Sequence, residues 1–115
     1  MLEGQPRVRE GGGDVTFVNR FTTHAPDDEF ERVFAEVCEF MARQAGFLGN
    51  TLLKHAEDEH SYINIARWRD IECFHKALAH PEFEPHVARL RTLSTSEPHL
   101  YRPRLVVSAG RGEQR

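Results

Sequence analysis

Two side chains within one short run could do chemistry together. Tyr62-Ile63-Asn64-Ile65-Ala66-Arg67-Trp68 is dominated by β-branched and aromatic residues and reads as a strand. Side chains alternate between the two faces of a strand. Tyr62, Asn64, Ala66 and Trp68 therefore share one face, and Ile63, Ile65 and Arg67 the other. An amide and an indole N–H flank a small alanine, which makes a concave wall carrying hydrogen-bond donors. Donors of this kind stabilise negative charge that develops on a bound oxygen. A core Trp that finds a partner for its N–H would leave the same pattern. Spacing alone leaves a binding wall and plain packing both open.

A general base would most naturally be a histidine, which titrates in the useful range. The chain has seven. His24, His55 and His60 fall at expected turns, and His75 and His80 flank the outer part of a short helix. His86 falls in the segment that would lid a cavity, so it is the first candidate and His75 the second. No metal site is expected. There is no HExxH and no cysteine pairing, and His55 and His60 sit at a turn without a closed ligand set. Gly11-Gly12-Gly13 is not expected to be a phosphate loop, because the sequence before it does not read as a strand. Cys38 and Cys73 lack a neighbouring histidine motif and read as reduced core thiols of a cytoplasmic protein.

These residues need a scaffold. Residues 1–13 are polar and glycine-ended, and are expected to be a flexible tail. Val15 to Thr22 reads as a strand with Val15, Phe17, Asn19 and Phe21 on one face. After the Pro26 turn, Asp27, Asp28 and Glu29 open a helix. Its apolar stripe is Phe30, Val33, Phe34, Val37, Cys38 and Met41, with Gly46 as the expected cap. Phe47–Lys54 forms a hairpin with the Tyr62 strand. Asp70 caps a short helix over 71–79, and Pro85 starts another that reaches about Leu93, with Val87, Leu90 and, at its end, Leu93 as the inward candidates. Ser94–Pro98 reads as a loop, and a last strand runs from about His99 to Val107. Residues 108–115 read as a second tail.

The expected fold is α+β: a ferredoxin-like β-α-β-β-α-β order in one domain over 14–107, with helices on one face of a four-stranded antiparallel sheet. Val18, Ile63 and Ile65 then leave the other face apolar, for which a homodimer packed sheet on sheet is the economical solution. With 115 residues, 39% hydrophobic and 29% charged, the chain suits one globular domain. A net charge of −3 argues against a nucleic-acid partner. No apolar run approaches the length of a membrane span, and the N-terminus lacks the pattern of a signal peptide.

Taken together, several motifs resemble the antibiotic biosynthesis monooxygenase family. They are Val18-Asn19-Arg20-Phe21, Gly46-Phe47-Leu48, Asn64-Ile65-Ala66-Arg67-Trp68, His80-Pro81-Glu82-Phe83 and Glu97-Pro98-His99-Leu100-Tyr101. The resemblance implies a dimeric α/β barrel that oxygenates aromatic polyketides in the cytoplasm. Some members turn anthrones into quinones without metal or haem. The chain looks closest to members of angucycline-type pathways, where oxygenation can also open a ring, in some cases with reduced flavin (FMNH2 or FADH2) supplied by a reductase. On this reading no cofactor is bound, and the partners are the polyketide, O2 and a second copy.

By the same resemblance Asn64 and Trp68 match the family's active-site Asn and Trp. A tyrosine of some quinone-forming members falls at Phe74, so a tyrosine-based proton step has no phenol here. The family's helix arginine has only Arg89 and Arg91 nearby. Haem-degrading enzymes of the same superfamily share Asn19, and their ligand histidine falls near Val87, with His86 one place off. Haem degradation and a non-catalytic dimeric binding module are the alternatives. In the oxygenase reading, Asn64 and Trp68 stabilise charge on oxygen, with His86 and His75 as candidate bases. Asn19 adds a polar group, and Phe17, Phe21, Phe34, Phe74 and Phe83 supply flat walls, although core packing explains each of these phenylalanines too. Tyr62 and Leu90 complete the substrate-facing set.

Overall fold

The Tyr62 run lies at the heart of the sheet in a computed structural model that describes residues 7–9 and 13–110. It is strand β4 (Ser61–Trp68), flanked by β2 (Val15–Thr23) and β3 (Phe47–Lys54); β5 (Ser94–Tyr101) lies on the far side of β2. The strand order is β3-β4-β2-β5, antiparallel throughout. Residues directly opposite one another share a face. Val15 stands opposite Trp68, Phe17 opposite Ala66, Asn19 opposite Asn64, and Phe21 opposite Tyr62. On the other flank Phe47 pairs with Trp68, Asn50 with Ala66 and Leu52 with Asn64. One face thus gathers the apolar residues together with three asparagines.

Three helices cover that face. In α1 (Asp27–Ala42) the acids of the first turn complement the helix dipole, and Phe30, Val33, Phe34, Val37 and Phe40 are buried. In α2 (Ile71–Ala79) the Asp70 side chain accepts the Cys73 backbone N–H, and Cys73, Phe74 and Ala77 point inward. In α3 (Phe83–Arg91) Leu90 is the buried anchor. Two packed clusters result. Phe21, Phe30, Phe34, Tyr62 and Leu90 form the core of one, and Val15, Ala66, Trp68 and Phe74 that of the other. The fold is ferredoxin-like α+β, as expected, with two helices in the second crossover.

Three boundaries differ from the expected ones. The first helix stops at Ala42 with Arg43 as its cap, so Gly46 is not a cap. Gly46 turns the chain into β3 at φ +85°. The Ser94–Pro98 stretch is strand, not loop: β5 is an edge strand paired only with β2, so Pro98 needs no ladder N–H. Pro103 then interrupts the last strand as a true break. Beyond it, β6 (Val106–Ser108) leaves the main sheet and pairs antiparallel with β1 (Arg7–Arg9), inside the segment expected as a tail. The rest of both expected tails, residues 1–6, 10–12 and 111–115, lies outside the described residues.

Among the described residues no helix covers the opposite face of the sheet. Val18, Ile63 and Ile65 are half-buried there, and Leu53 and Tyr101 are 48% and 54% exposed.

Candidate active site

Between the sheet and the helices lies a cavity of about 560 Å³ of atom-free space, the solvent in its mouth included. Phe17, Asn19, Asn64, Ala66 and Trp68 make its floor; Phe34, Cys38, Phe74, Leu78 and Val87 stand over them. A second space shares Phe17, Asn19, Phe21, Phe83, Val87 and Leu90 and adds Arg91, Ser94, Ser96 and Pro98. The mouth therefore lies between α3 and the edge strand β5.

Trp68 is 1% exposed and is clamped edge-on by Phe47 and Phe74, with ring centroids 5.1 Å and 5.8 Å away. No protein acceptor for its indole N–H is found among the described residues. Two positions earlier than Ala66, Asn64 is buried, and its Oδ1 accepts from Asn50 Nδ2 at 2.9 Å. Asn50 Nδ2 also donates to Cys38 Sγ at 3.3 Å. On the adjacent strand Asn19 Oδ1 is buried without any partner. A buried carbonyl left unpaired costs free energy unless a ligand or water satisfies it, and this one belongs to a residue that lines the cavity. The floor thus combines flat apolar surface with a few polar groups that the protein itself does not satisfy.

Nine of the twelve residues expected at the site line the cavity or its mouth: Phe17, Asn19, Phe21, Phe34, Asn64, Trp68, Phe74, Phe83 and Leu90. The other three are elsewhere. His86 packs on the Phe40 ring at 5.7 Å, on the outer side of the α1–α3 contact. His75 is exposed on α2 and touches only the edge of Phe74. The helical period turns both imidazoles away from the sheet, so neither reaches a molecule in the cavity. Tyr62 lies deeper in the core, against Phe30, and its hydroxyl donates to Glu31 at 2.7 Å. Burial, reinforced by Glu31 and Asp27, pushes its phenol well above its ordinary value, so it stays neutral. Among the described residues the one ionisable group lining the chamber is Cys38, and burial pushes its thiol up too. Arg91 stands only at the mouth.

Several residues that line the cavity were not foreseen at the site, Asn50, Met41, Phe47, Leu78 and Val87 among them. For Asn50 the signal was the β3–β4 hairpin register, which sets it beside Asn64 on the inner face. A haem iron would find no imidazole in this lining, because Val87 faces the cavity and His86 does not. Nor does the chamber fit a resident phosphorylated flavin. Among the described residues its lining holds no cation and no glycine-rich turn to take a phosphate. Among the described residues no three His, Cys, Asp or Glu side chains gather as a metal set.

Comparison with known proteins agrees with this fold. The profile of the antibiotic biosynthesis monooxygenase family matches residues 14–89. Deoxynogalonate monooxygenase of Streptomyces nogalater is 49% identical over 106 residues, 90% of each chain. The crystal structure of SnoaB, a cofactor-independent oxygenase from the same organism, superposes with a TM-score of 0.76 at 52% identity, covering 78% of this chain and 92% of that one. An asparagine-to-alanine variant of SnoaB superposes equally well, at 0.77. A Shewanella oneidensis protein only 12% identical still reaches 0.71, covering 89% of this chain and 99% of that one, so the fold outlasts the sequence. The match over 14–89 and the close relatives lead to one conclusion: the chain belongs to the antibiotic biosynthesis monooxygenase family.

Proposed function

We propose that this chain oxygenates a polycyclic aromatic polyketide intermediate with O2, converting an anthrone-type carbon to a quinone carbonyl, with no bound metal, haem or flavin. The observation that carries the reading is the chamber itself. It has flat phenylalanine walls, a floor with the Trp68 N–H and the Asn64 and Asn19 amides, and no acid or base among its lining residues apart from a thiol held neutral. Such a site binds a polycycle, excludes water and stabilises negative charge on oxygen. It leaves the redox chemistry to the substrate.

The steps balance without an added reductant. Loss of a proton from the activated CH2 gives a carbanion whose charge spreads onto the neighbouring oxygen, where Trp68 and Asn64 donate hydrogen bonds. The anion passes one electron to O2. The resulting radical and superoxide combine to form a C–O bond, and protonation gives the hydroperoxide. Loss of the second C–H proton breaks the O–O bond and releases water, leaving C=O. One O2 is consumed, with one oxygen atom in product and one in water.

Two further statements belong to this reading. The bare sheet face packs against a second copy of the chain, supported by the apolar Val18, Ile63, Ile65, Leu53 and Tyr101 on one surface. The protein works in the cytoplasm, supported by two free thiols, Cys38 and Cys73.

Oxygen uptake with a hydroxylated anthrone tests the proposal. The expected result is one O2 per quinone, with one 18O atom from 18O2 in the product, and a rate unchanged by chelator or by added reduced flavin. Binding of the anthrone without turnover would instead make the chain a ligand-binding module. Turnover of added haem would favour the haem-degrading alternative.

A further inference from the structure

The Asn64 donor is only useful if its NH2 end, and not its oxygen, faces the substrate. A free carboxamide turns either way with little cost. Here it is not free. Asn50 Nδ2 carries two hydrogens and no lone pair with which to accept. Both hydrogens are committed inside the protein, one to Cys38 Sγ at 3.3 Å and one to Asn64 Oδ1 at 2.9 Å. With the Asn50 amide in this orientation only the Asn64 oxygen can answer it, so the Asn64 NH2 is turned away from Asn50. Cys38 is held on α1 and Asn50 on β3, so the contact also ties the helix layer to the orientation of one amide in the sheet.

We infer that Asn50 is a positioning residue: anchored by Cys38, it takes the Asn64 oxygen and thereby presents the Asn64 amide hydrogens to the substrate oxygen. This rests on the reading of Asn64 as a donor to the reacting molecule. Asn50 reaches the reaction through Asn64 and has no separate part in it. Its loss therefore lowers the rate of the chemical step and leaves substrate affinity close to wild type.

The test is a double-mutant cycle in the oxygen-uptake assay with a hydroxylated anthrone. Asn50→Leu keeps the branched outline of the side chain and removes both donors. It should lower kcat by about tenfold with KM within about twofold, the signature of a contact made mainly in the transition state. In the Asn64→Ala background the same substitution should cost nothing more, because coupled residues are non-additive. Full kcat for Asn50→Leu, or an equal loss in both backgrounds, overturns the inference while leaving the role of Asn64 intact. Full activity of Asn64→Ala alone removes the donor reading and this inference with it. If Asn50→Leu does not fold, Asn50→Ala in the same cycle gives the same discrimination.

Discussion

At the scale of single residues, Trp68 and Asn64 separate catalysis from packing. Trp68→Phe keeps most of the ring and removes the N–H. It should cut turnover at least tenfold, equivalent to about 1.4 kcal/mol of barrier. The melting temperature should fall by several degrees, since the smaller ring leaves a void at a fully buried site, with the variant still folded at the assay temperature. Oxygen uptake measured well below the melting transition, set beside thermal melts, checks both, and full turnover by the folded variant would mean that the indole only packs. The histidines give the converse test. His86→Gln and His75→Gln should each retain activity within about threefold, whereas loss of a working general base costs ~100-fold or more. Strand alternation made Asn64 and Trp68 legible, because β4 has one dominant parity. Asn50 was hidden because β3 carries leucines on both parities, Leu48 and Leu52 against Leu53, and a register shift at Gly49. His86 was misplaced because a helix assignment does not say which side of the helix meets the sheet.

At the scale of elements, the turn into β3 and the start of α2 are fastened together. Gly46 sits at φ +85°, and a Cβ there would stand 2.5 Å from Cys73 Cβ and Sγ. Its carbonyl also accepts the Arg69 N–H at 2.7 Å. Gly46→Ala should therefore destabilise by more than the ~1–2 kcal/mol of the left-handed conformation alone, measurable as a lower urea midpoint. The Asp70 cap predicts a pH dependence. The Cys73 backbone N–H holds the Asp70 carboxyl below its ordinary pKa, helped by Arg69. A folded value below the unfolded one means stabilisation that is full above the ordinary carboxylate range and fades as pH falls through the folded value. Asp70→Ala should melt lower than wild type at neutral pH. The gap between wild type and Asp70→Asn should shrink on acidification. The helices and the central hairpin were readable from period and capping. The edge strand was not, because an edge residue packs on one side only and Ser94-Thr95-Ser96-Glu97 looks like a loop until its partner β2 is known.

At the scale of the whole molecule, the uncovered sheet face predicts the assembly. The protein should sediment at twice its 13.3 kDa chain mass. Ile63→Glu with Ile65→Glu, which places two charges on the bare face, should shift it to monomer at micromolar concentration. A wild-type monomer would remove the sheet-on-sheet pairing. The chamber has a consequence of a different kind. Because its lining brings no acid or base beyond a neutral thiol, reactivity is a property the guest carries in with it, and the host only selects by outline. Among a set of anthrones, rates should then rank by how readily each gives up its own proton and electron. A lineage of such proteins could pass from one ring skeleton to another by trimming or enlarging a single wall phenylalanine, Phe17 or Phe83 for example. No proton-handling apparatus would have to be rebuilt on the way.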